Sequence, residues 1–447
     1  MSQTATYWRC AMAAIAVALG GLAATAQSAT SAPVVITLAA AIHRAQQNEP
    51  AFANAVAAER SAAADRYIAK AGLLPGVIYH NQVLYTEPNG QTNRAGQIGI
   101  QPSPVFIANN AVREYASQAS INEQIGMQQI ADAQVASAHA AMASAELEIA
   151  RRGLVASVVS LFYAVSTSDT RERLFAQALD EARNFTDLTQ KREQAREVAH
   201  ADVVKAQLEQ QQRELDANEA ALSAKKARLE LGVLLFADPR TAYSTASPDA
   251  EPALPTHDEL SHSASANNPE VRSALAAMRA SDAEVISAKA AYLPDLKLNF
   301  TYGIDAPEFA KRGPDDVQNL GYSISGTVDI PVWDWFSTQK RVKQSEIRRD
   351  AAHVTLTATQ RRLIATLEET YAEAVAARDQ MDLLERSVQT SNESLRLTKL
   401  RYGAGEATAL EVVDAENASL AAGVAQADGA ARYQSAFAAL ELLRGNL

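Results

Sequence analysis

The sequence predicts a mainly α-helical fold that carries a small β portion, with the whole arrangement present twice. Three observations support this: two stretches alternate with a period of two, two long stretches lack proline, and one block recurs at a fixed offset.

The alternating stretches lie between Leu296 and Ile330. Leu296, Leu298, Phe300, Tyr302 and Ile304 alternate with Lys297, Asn299, Thr301 and Gly303. Leu320, Tyr322, Ile324, Gly326, Val328 and Ile330 then alternate with Gly321, Ser323, Ser325, Thr327 and Asp329. A period of two gives a strand one apolar and one polar face. Strands of nine and eleven residues are long enough to cross a bilayer when tilted. A soluble sheet with one solvated face would show the same alternation.

From Val105 to Asp238, and again from Val332 to Leu447, there is no proline. Leu147, Leu154, Val158, Leu161 and Val165 fall at three, four and seven, the spacing of a helical seam. Read as one helix from about Val105 to Arg192, the first arm would be about 130 Å long at 1.5 Å per residue. Charged residues from Arg192 to Val198 mark a reversal, and Asp202 to Phe236 reads as the return. In the second half, Leu384, Val388, Leu395 and Tyr402 keep a seam up to Gly403-Ala404-Gly405. Leu410, Val413, Leu420, Val424, Ala427 and Ala431 resume it, so the glycines cap one helix before an antiparallel partner.

Ahead of the first arm, Thr37 opens a helix from Leu38 to about Gln47, Pro50 breaks it, and a second helix runs from about Ala51 to Leu74. Val77, Tyr79, Val83 and Tyr85 alternate through a strand. Pro88-Asn89-Gly90 supplies a turn and Gln97 to Gln101 a short return strand. At an offset of 219, Asn267-x-Pro269 repeats Asn48-x-Pro50, and Lys289, Leu293 and Pro294 repeat Lys70, Leu74 and Pro75, within twelve identities over twenty-eight ungapped positions. The chain therefore divides into a first repeat at 37–238 with a hairpin at about 77–101, a linker at 239–256 rich in proline, and a second repeat at 257–447 with a hairpin at about 296–330.

The N-terminus carries Arg9, an apolar run from Ala11 to Ala24 and Ala24-Thr25-Ala26, which together predict a signal peptide over 1–26. Cleavage there removes Cys10, the only cysteine, and with it any disulfide or thiol chemistry. A net charge of -11 with no long basic run argues against a nucleic-acid partner. No later segment supplies about eighteen uninterrupted apolar residues, so a membrane crossing would be made by strands. Four strands leave two open edges, and an open edge in lipid costs several kcal/mol for each unsatisfied backbone group. Closure then requires oligomerisation; three chains give a twelve-stranded barrel, and two or four are also permitted.

Several motifs in combination resemble the TolC-type outer-membrane efflux proteins. They are Ala288-Lys289-Ala290-Ala291-Tyr292-Leu293-Pro294 running into a strand, the strand-to-helix junction Val328-Asp329-Ile330-Pro331-Val332-Trp333-Asp334, and the tip Arg401-Tyr402-Gly403-Ala404-Gly405-Glu406 leading into Leu410-Glu411-Val412-Val413-Asp414-Ala415. The resemblance covers essentially the whole chain after residue 26. It implies a homotrimer whose membrane β-barrel, twelve strands with four from each chain, is continued by a periplasmic α-helical barrel. It also implies a periplasmic adaptor and an inner-membrane pump as partners. Two places depart from the family pattern. Gln101-Pro102-Ser103-Pro104-Val105-Phe106-Ile107 stands where the first junction is expected, and the first tip lacks glycines.

Glu411 and Asp414 share a helix face just past the reversal, and the resemblance puts them at the periplasmic entrance, where a carboxylate ring would favour cations. Acids at a solvated helix N-terminus have the same appearance. The matching first-half positions are Asp202 and Lys205, so any ring would be partly neutralised. Arg401, Tyr402, Gly403 and Gly405 are the expected adaptor-docking tip, or a helix cap, or both. Trp333, Trp335 and Phe336 are expected as membrane-interface anchors. The seven histidines are scattered, and no phosphate-binding loop, metal-ligand spacing or nucleophile motif is present. The sequence thus predicts no enzyme, no metal and no cofactor, but a passive exit duct for small molecules. A protein-secretion conduit and a non-channel periplasmic scaffold remain as alternatives.

Overall fold

The computed structural model describes residues 34–85, 113–246, 253–306, 309–313, 316 and 318–445. The predicted signal peptide, the return strand Gln97–Gln101 and the departure at 101–107 lie outside the described residues.

The first half runs β1 (Val34–Ile36), α1 (Leu38–Asn48), α2 (Pro50–Ala71), β2 (Gly76–Tyr85), β3 (Arg113–Ile125), α3 (Met127–Gln194) and α4 (His200–Leu235). The second runs β4 (Tyr243–Thr245), α5 (His257–Asn267), α6 (Pro269–Ala290), β5 (Asp295–Ala306), β6 (Leu320–Asp329), α7 (Ser337–Gly403) and α8 (Ala409–Arg444). Two short helices, two strands, one long helix and a returning helix thus recur in the same order. Local chemistry recurs too. Thr37 caps α1 by accepting from the Ala40 N–H, Pro50 and Pro269 each open a helix at a position that needs no N–H, and Asn268 accepts from the Val271 N–H at 2.9 Å.

Two boundaries differ from the sequence reading. The partner of β2 is β3, so the first hairpin extends to Ile125 and the first long helix begins at Met127 rather than near Val105. At 68 residues that helix is about 100 Å long. The cause is composition: Ala116, Ser117, Ala119 and Ser120 blur the alternation of β3, and the absence of proline made it look helical. Within the expected linker, Tyr243–Thr245 pairs in parallel with Val34–Ile36. Three residues are too short to show a period.

The core is spread along the rods. Leu154, Val155, Val158, Phe162 and Val165 of α3 pack with Ala41 and Ala45 of α1, Leu231 and Leu235 of α4, and Ile36 and Tyr243 of the small sheet. A second cluster joins Leu260 and Ala264 of α5 to Leu367 and Ala374 of α7 and Ala436 and Leu440 of α8. A third lies at the far ends of the long helices and is part of the site below.

Candidate functional site

The four long strands form one antiparallel sheet in the order β2-β3-β5-β6. Its register keeps one face largely apolar across all four strands, with Asn81, Ser117 and Glu123 as polar exceptions. Val77, Ile121, Phe300 and Ile324 stand in one row, and Tyr79, Ala119, Tyr302 and Tyr322 in the next. The opposite face carries Ile78, Ser120, Thr301 and Ser323, then His80, Gln118, Gly303 and Gly321. Side chains bridge the strands on that face: Asn299 donates to Asn122 at 2.5 Å, Gln118 to Asp305 at 3.1 Å, and Lys297 pairs with Asp329 at 2.7 Å. The apolar face is open, with Val77, Tyr79, Tyr322 and Ile324 each about 70% exposed. Among the described residues the outer edges of β2 and β6 have no strand partner.

After β6 the chain makes a sharp turn into α7. Trp335 and Phe336 both have positive φ, 56° and 64°, and the Asp334 carboxylate accepts the Thr338 N–H at 2.7 Å. This turn gathers an exposed aromatic cluster, with the Trp333 ring 5.7 Å from that of Trp335 and 5.2 Å from that of Phe336. The three predicted anchors are therefore brought together directly beyond the sheet.

About 100 Å away by helix length, the two reversals pack against each other. Tyr402 is buried, not displayed, which changes its expected role as a surface docking residue. Its ring lies 5.2 Å from Phe185, its hydroxyl 3.3 Å from that of Thr189, and its carbonyl accepts from Arg192 at 2.6 Å. Arg192 also sits over the Tyr402 ring at 4.9 Å. Gly403, Gly405 and Arg401 are exposed.

Both tips make the same turn. In the second, Glu406 N–H donates to the Arg401 carbonyl and Gly405 N–H to that of Tyr402, with Gly405 at φ +77°. In the first, Glu197 N–H donates to Arg192 and Arg196 N–H to Glu193, with Arg196 at φ 63°. The missing glycine is thus replaced by a strained arginine. Arg196→Gly is expected to stabilise the protein by about 1 kcal/mol and Gly405→Ala to destabilise it by about as much. Amide exchange at the two tips would show the opposite signs.

Glu411 is the third residue of a capping box: the Thr408 backbone N–H and hydroxyl hold its carboxylate below the usual glutamate range, and Arg401 lies 3.5 Å away. It is engaged as a cap, while Asp414, one turn on, is exposed. Asp202 occupies the first turn of α4 and is half-buried.

A charged network about one to four turns inside the tips was not predicted. Lys399 pairs with Glu181 at 2.8 Å and with Glu416 at 3.0 Å. Arg213, buried, pairs with Glu209 at 2.7 Å and Asp216 at 3.4 Å and also reaches Asn417. Glu181, Arg213 and Glu416 border a cleft of about 710 Å³ between the long helices that extends to Tyr163 and Gln434. Seam spacing could have found two of them. Glu416 follows Val412 by four and precedes Leu420 by four, and Lys399 sits between Leu395 and Tyr402 at four and three.

Burial pushes the Glu416 carboxyl above the ordinary glutamate value of 4.5, against the pull of Lys399. A carboxyl whose folded pKa is raised holds its proton more tightly in the folded state, so its ionisation opposes folding above the ordinary value. Glu416→Gln is therefore expected to raise the melting temperature at neutral pH, with the gain shrinking as pH falls towards 4.5. Lys399 keeps Glu181 as its partner. Melting followed by circular dichroism across that range checks both signs.

Among the described residues no group of three or more His, Cys, Asp or Glu is placed to hold a metal ion.

The fold matches solved outer-membrane channels. The outer membrane protein VceC of Vibrio cholerae superposes with a TM-score of 0.78, covering 91% of this chain and 96% of that one at 18% identity. Residues 260–446 match the family model described as outer membrane efflux protein. The second half of the chain thus matches the outer membrane efflux protein domain. The chain's match to the outer membrane protein OprJ of Pseudomonas aeruginosa is 28% identical over 172 residues, 38% of this chain, and spans only 35% of OprJ. Its match to the cobalt-zinc-cadmium resistance protein CzcC of Cupriavidus metallidurans is 24% identical over 312 residues, covering 68% of this chain and 71% of CzcC. An outer-membrane efflux protein of this fold belongs to the outer membrane and extends into the periplasm. In such a protein the apolar face of the sheet is the face suited to lipid.

Proposed function

We propose that the chain is one protomer of a homotrimeric exit duct through which small molecules, delivered by a periplasmic adaptor and an inner-membrane pump, leave the cell passively. The observation that carries this reading is the sheet: one face largely apolar on all four strands, the other largely polar and, among the described residues, both outer edges unpaired. An unpaired edge is not tolerated in hydrocarbon. Joining β2 of one protomer to β6 of the next satisfies both edges, and three copies close twelve strands around a wet lumen. The long helices continue the duct, and the two packed tips form its entrance. Asp414 with Glu411 and Asp202 supplies negative charge there, while Arg401, Gly403 and Gly405 offer the exposed turn for an adaptor, with Tyr402 as its internal support. No residue performs chemistry, so the cargo is chosen by the pump.

The test is conductance in planar bilayers, with and without Glu411→Gln and Asp414→Asn. Discrete cation-selective channels are expected, with weaker selectivity in the double variant. Channels indifferent to both substitutions would remove the acidic entrance. A well-folded protein that stays soluble and shows no heat-modifiable trimer would remove the duct.

A further inference from the structure

The first turns of α7 carry a charge pattern that the duct reading does not use. Between Ser337 and Arg349 there are five basic residues and one acid, Glu346, in a chain of net charge -11. The equivalent stretch of α3, Met127 to His139, has no lysine or arginine. Positive charge in the first turn of a helix is opposed by the macrodipole, so helix stability does not account for it. Nor do internal partners. Lys343 has only a long contact of 3.6 Å to Glu346, and among the described residues Lys340 and Arg341 make no ion pair. All three side chains are exposed. Phe336, Lys340 and Lys343 follow one another at four and three, so aromatic and basic groups share one helix face.

We propose that Lys340, Arg341 and Lys343 form a basic collar that binds the headgroups of anionic phospholipids in the leaflet met by Trp333, Trp335 and Phe336. The proposal rests on the reading of the sheet as part of a membrane barrel. The apolar face continues without a break from Val328 through Ile330 and Val332 into the aromatic cluster, all of them exposed. Lys340 begins one turn beyond that cluster, its N–H donating to the Phe336 carbonyl at 3.1 Å. From Ser337 to Lys343 the helix rises about 9 Å, comparable to the depth of one headgroup layer. Helical side chains lean towards the N-terminus, so these lysines and this arginine lean back towards the membrane and can snorkel into the phosphate plane. Each basic group near an anionic surface adds about a fivefold preference.

The chain supplies its own reporter, because its three tryptophans are Trp8, Trp333 and Trp335. With Trp8→Phe, all tryptophan emission comes from the junction. The protein is reconstituted in phosphatidylcholine vesicles in which either the phosphatidylcholine or added phosphatidylglycerol carries brominated chains at equal mole fraction, and quenching is compared. Brominated phosphatidylglycerol is expected to quench as if bound about fivefold or more tightly. That excess should vanish near 1 M salt, where the screening length falls to about 3 Å. It should also vanish in the Lys340→Gln, Arg341→Gln, Lys343→Gln variant and survive in Lys340→Arg, Lys343→Arg, with quenching by brominated phosphatidylcholine unchanged in both. Heat-modifiable migration of each variant confirms its assembly. Equal quenching by the two lipids, or a preference that persists in the glutamine variant, overturns the collar while leaving the aromatic anchors in lipid. No quenching by either lipid overturns the membrane reading and the collar with it. An acidic protein partner would leave the two lipids equivalent.

Discussion

Gly303→Val is expected to abolish assembly of the barrel, whereas Gly321→Val, in the neighbouring strand of the same row, is expected to be tolerated. A β-carbon added at Gly303 would lie 2.2 Å from the Ser117 carbonyl oxygen and 2.5 Å from the Gln118 α-carbon. Both are backbone atoms of β3, so no rotamer change relieves the overlap. The strands must separate. The β3–β5 ladder is the joint between the two halves of the chain, so its opening divides the sheet into two hairpins. Hairpins alone are at best marginally stable. Overpacking in a formed core costs about 1–3 kcal/mol. Here the clash is with backbone and the ladder hydrogen bonds are lost as well, so the cost exceeds that range. A β-carbon at Gly321 meets nothing within 4 Å. Outer-membrane fractionation and heat-modifiable migration of the two variants give the comparison directly. Equal behaviour of the pair would mean that the close approach of β3 to Gly303 is not a feature of the assembled barrel.

The contrast between those glycines also marks how far the sequence can be read. The strands β5 and β6 were legible because large apolar residues alternate with polar ones without interruption, and their pairing follows from the hairpin. Strand β3 was not legible, because alanine and serine fall on both faces and give neither a signal, and alanine also suits a helix. The junction aromatics were legible as a group from their position after β6. Their left-handed backbone at Trp335 and Phe336 was not, because no glycine announces it. At the tips, glycine announced the second turn and its absence hid the first, although Arg196 adopts the same conformation. By sequence Glu411 reads equally as a ring carboxylate or a helix-terminal acid; the structure adds its place in a capping box and its contact with Arg401, neither of which the sequence position announces. By composition alone, acidic residues on a long helix look solvated. Glu416 and Glu209 instead face the interior, where a cation meets each of them. Charge alone hides such residues, and only their phase on the apolar seam reveals them.

Tyr402→Ala is expected to loosen the entrance while leaving the barrel intact. The tyrosine is 3% exposed and joins the two tips by three independent contacts: its ring against Phe185, its ring beneath Arg192, and its hydroxyl beside Thr189. Removing a buried aromatic ring costs about 3–5 kcal/mol. That loss falls on a small cluster of Phe185, Ala206, Ala409, Val412 and Val413, far from the other two cores. Local opening is therefore the outlet, rather than global unfolding. Amide protection should fall at 185–206 and 400–413 and hold in the strands, and channels in planar bilayers should open more often. Tyr402→Phe separates the causes. It keeps the ring contacts and the Arg192 bond to the backbone carbonyl at 2.6 Å, and gives up only a 3.3 Å hydroxyl contact, about 1 kcal/mol. Its protection should stay close to that of the unaltered protein. If the phenylalanine variant opened as readily as the alanine one, the hydroxyl rather than the packed ring would be holding the tips together.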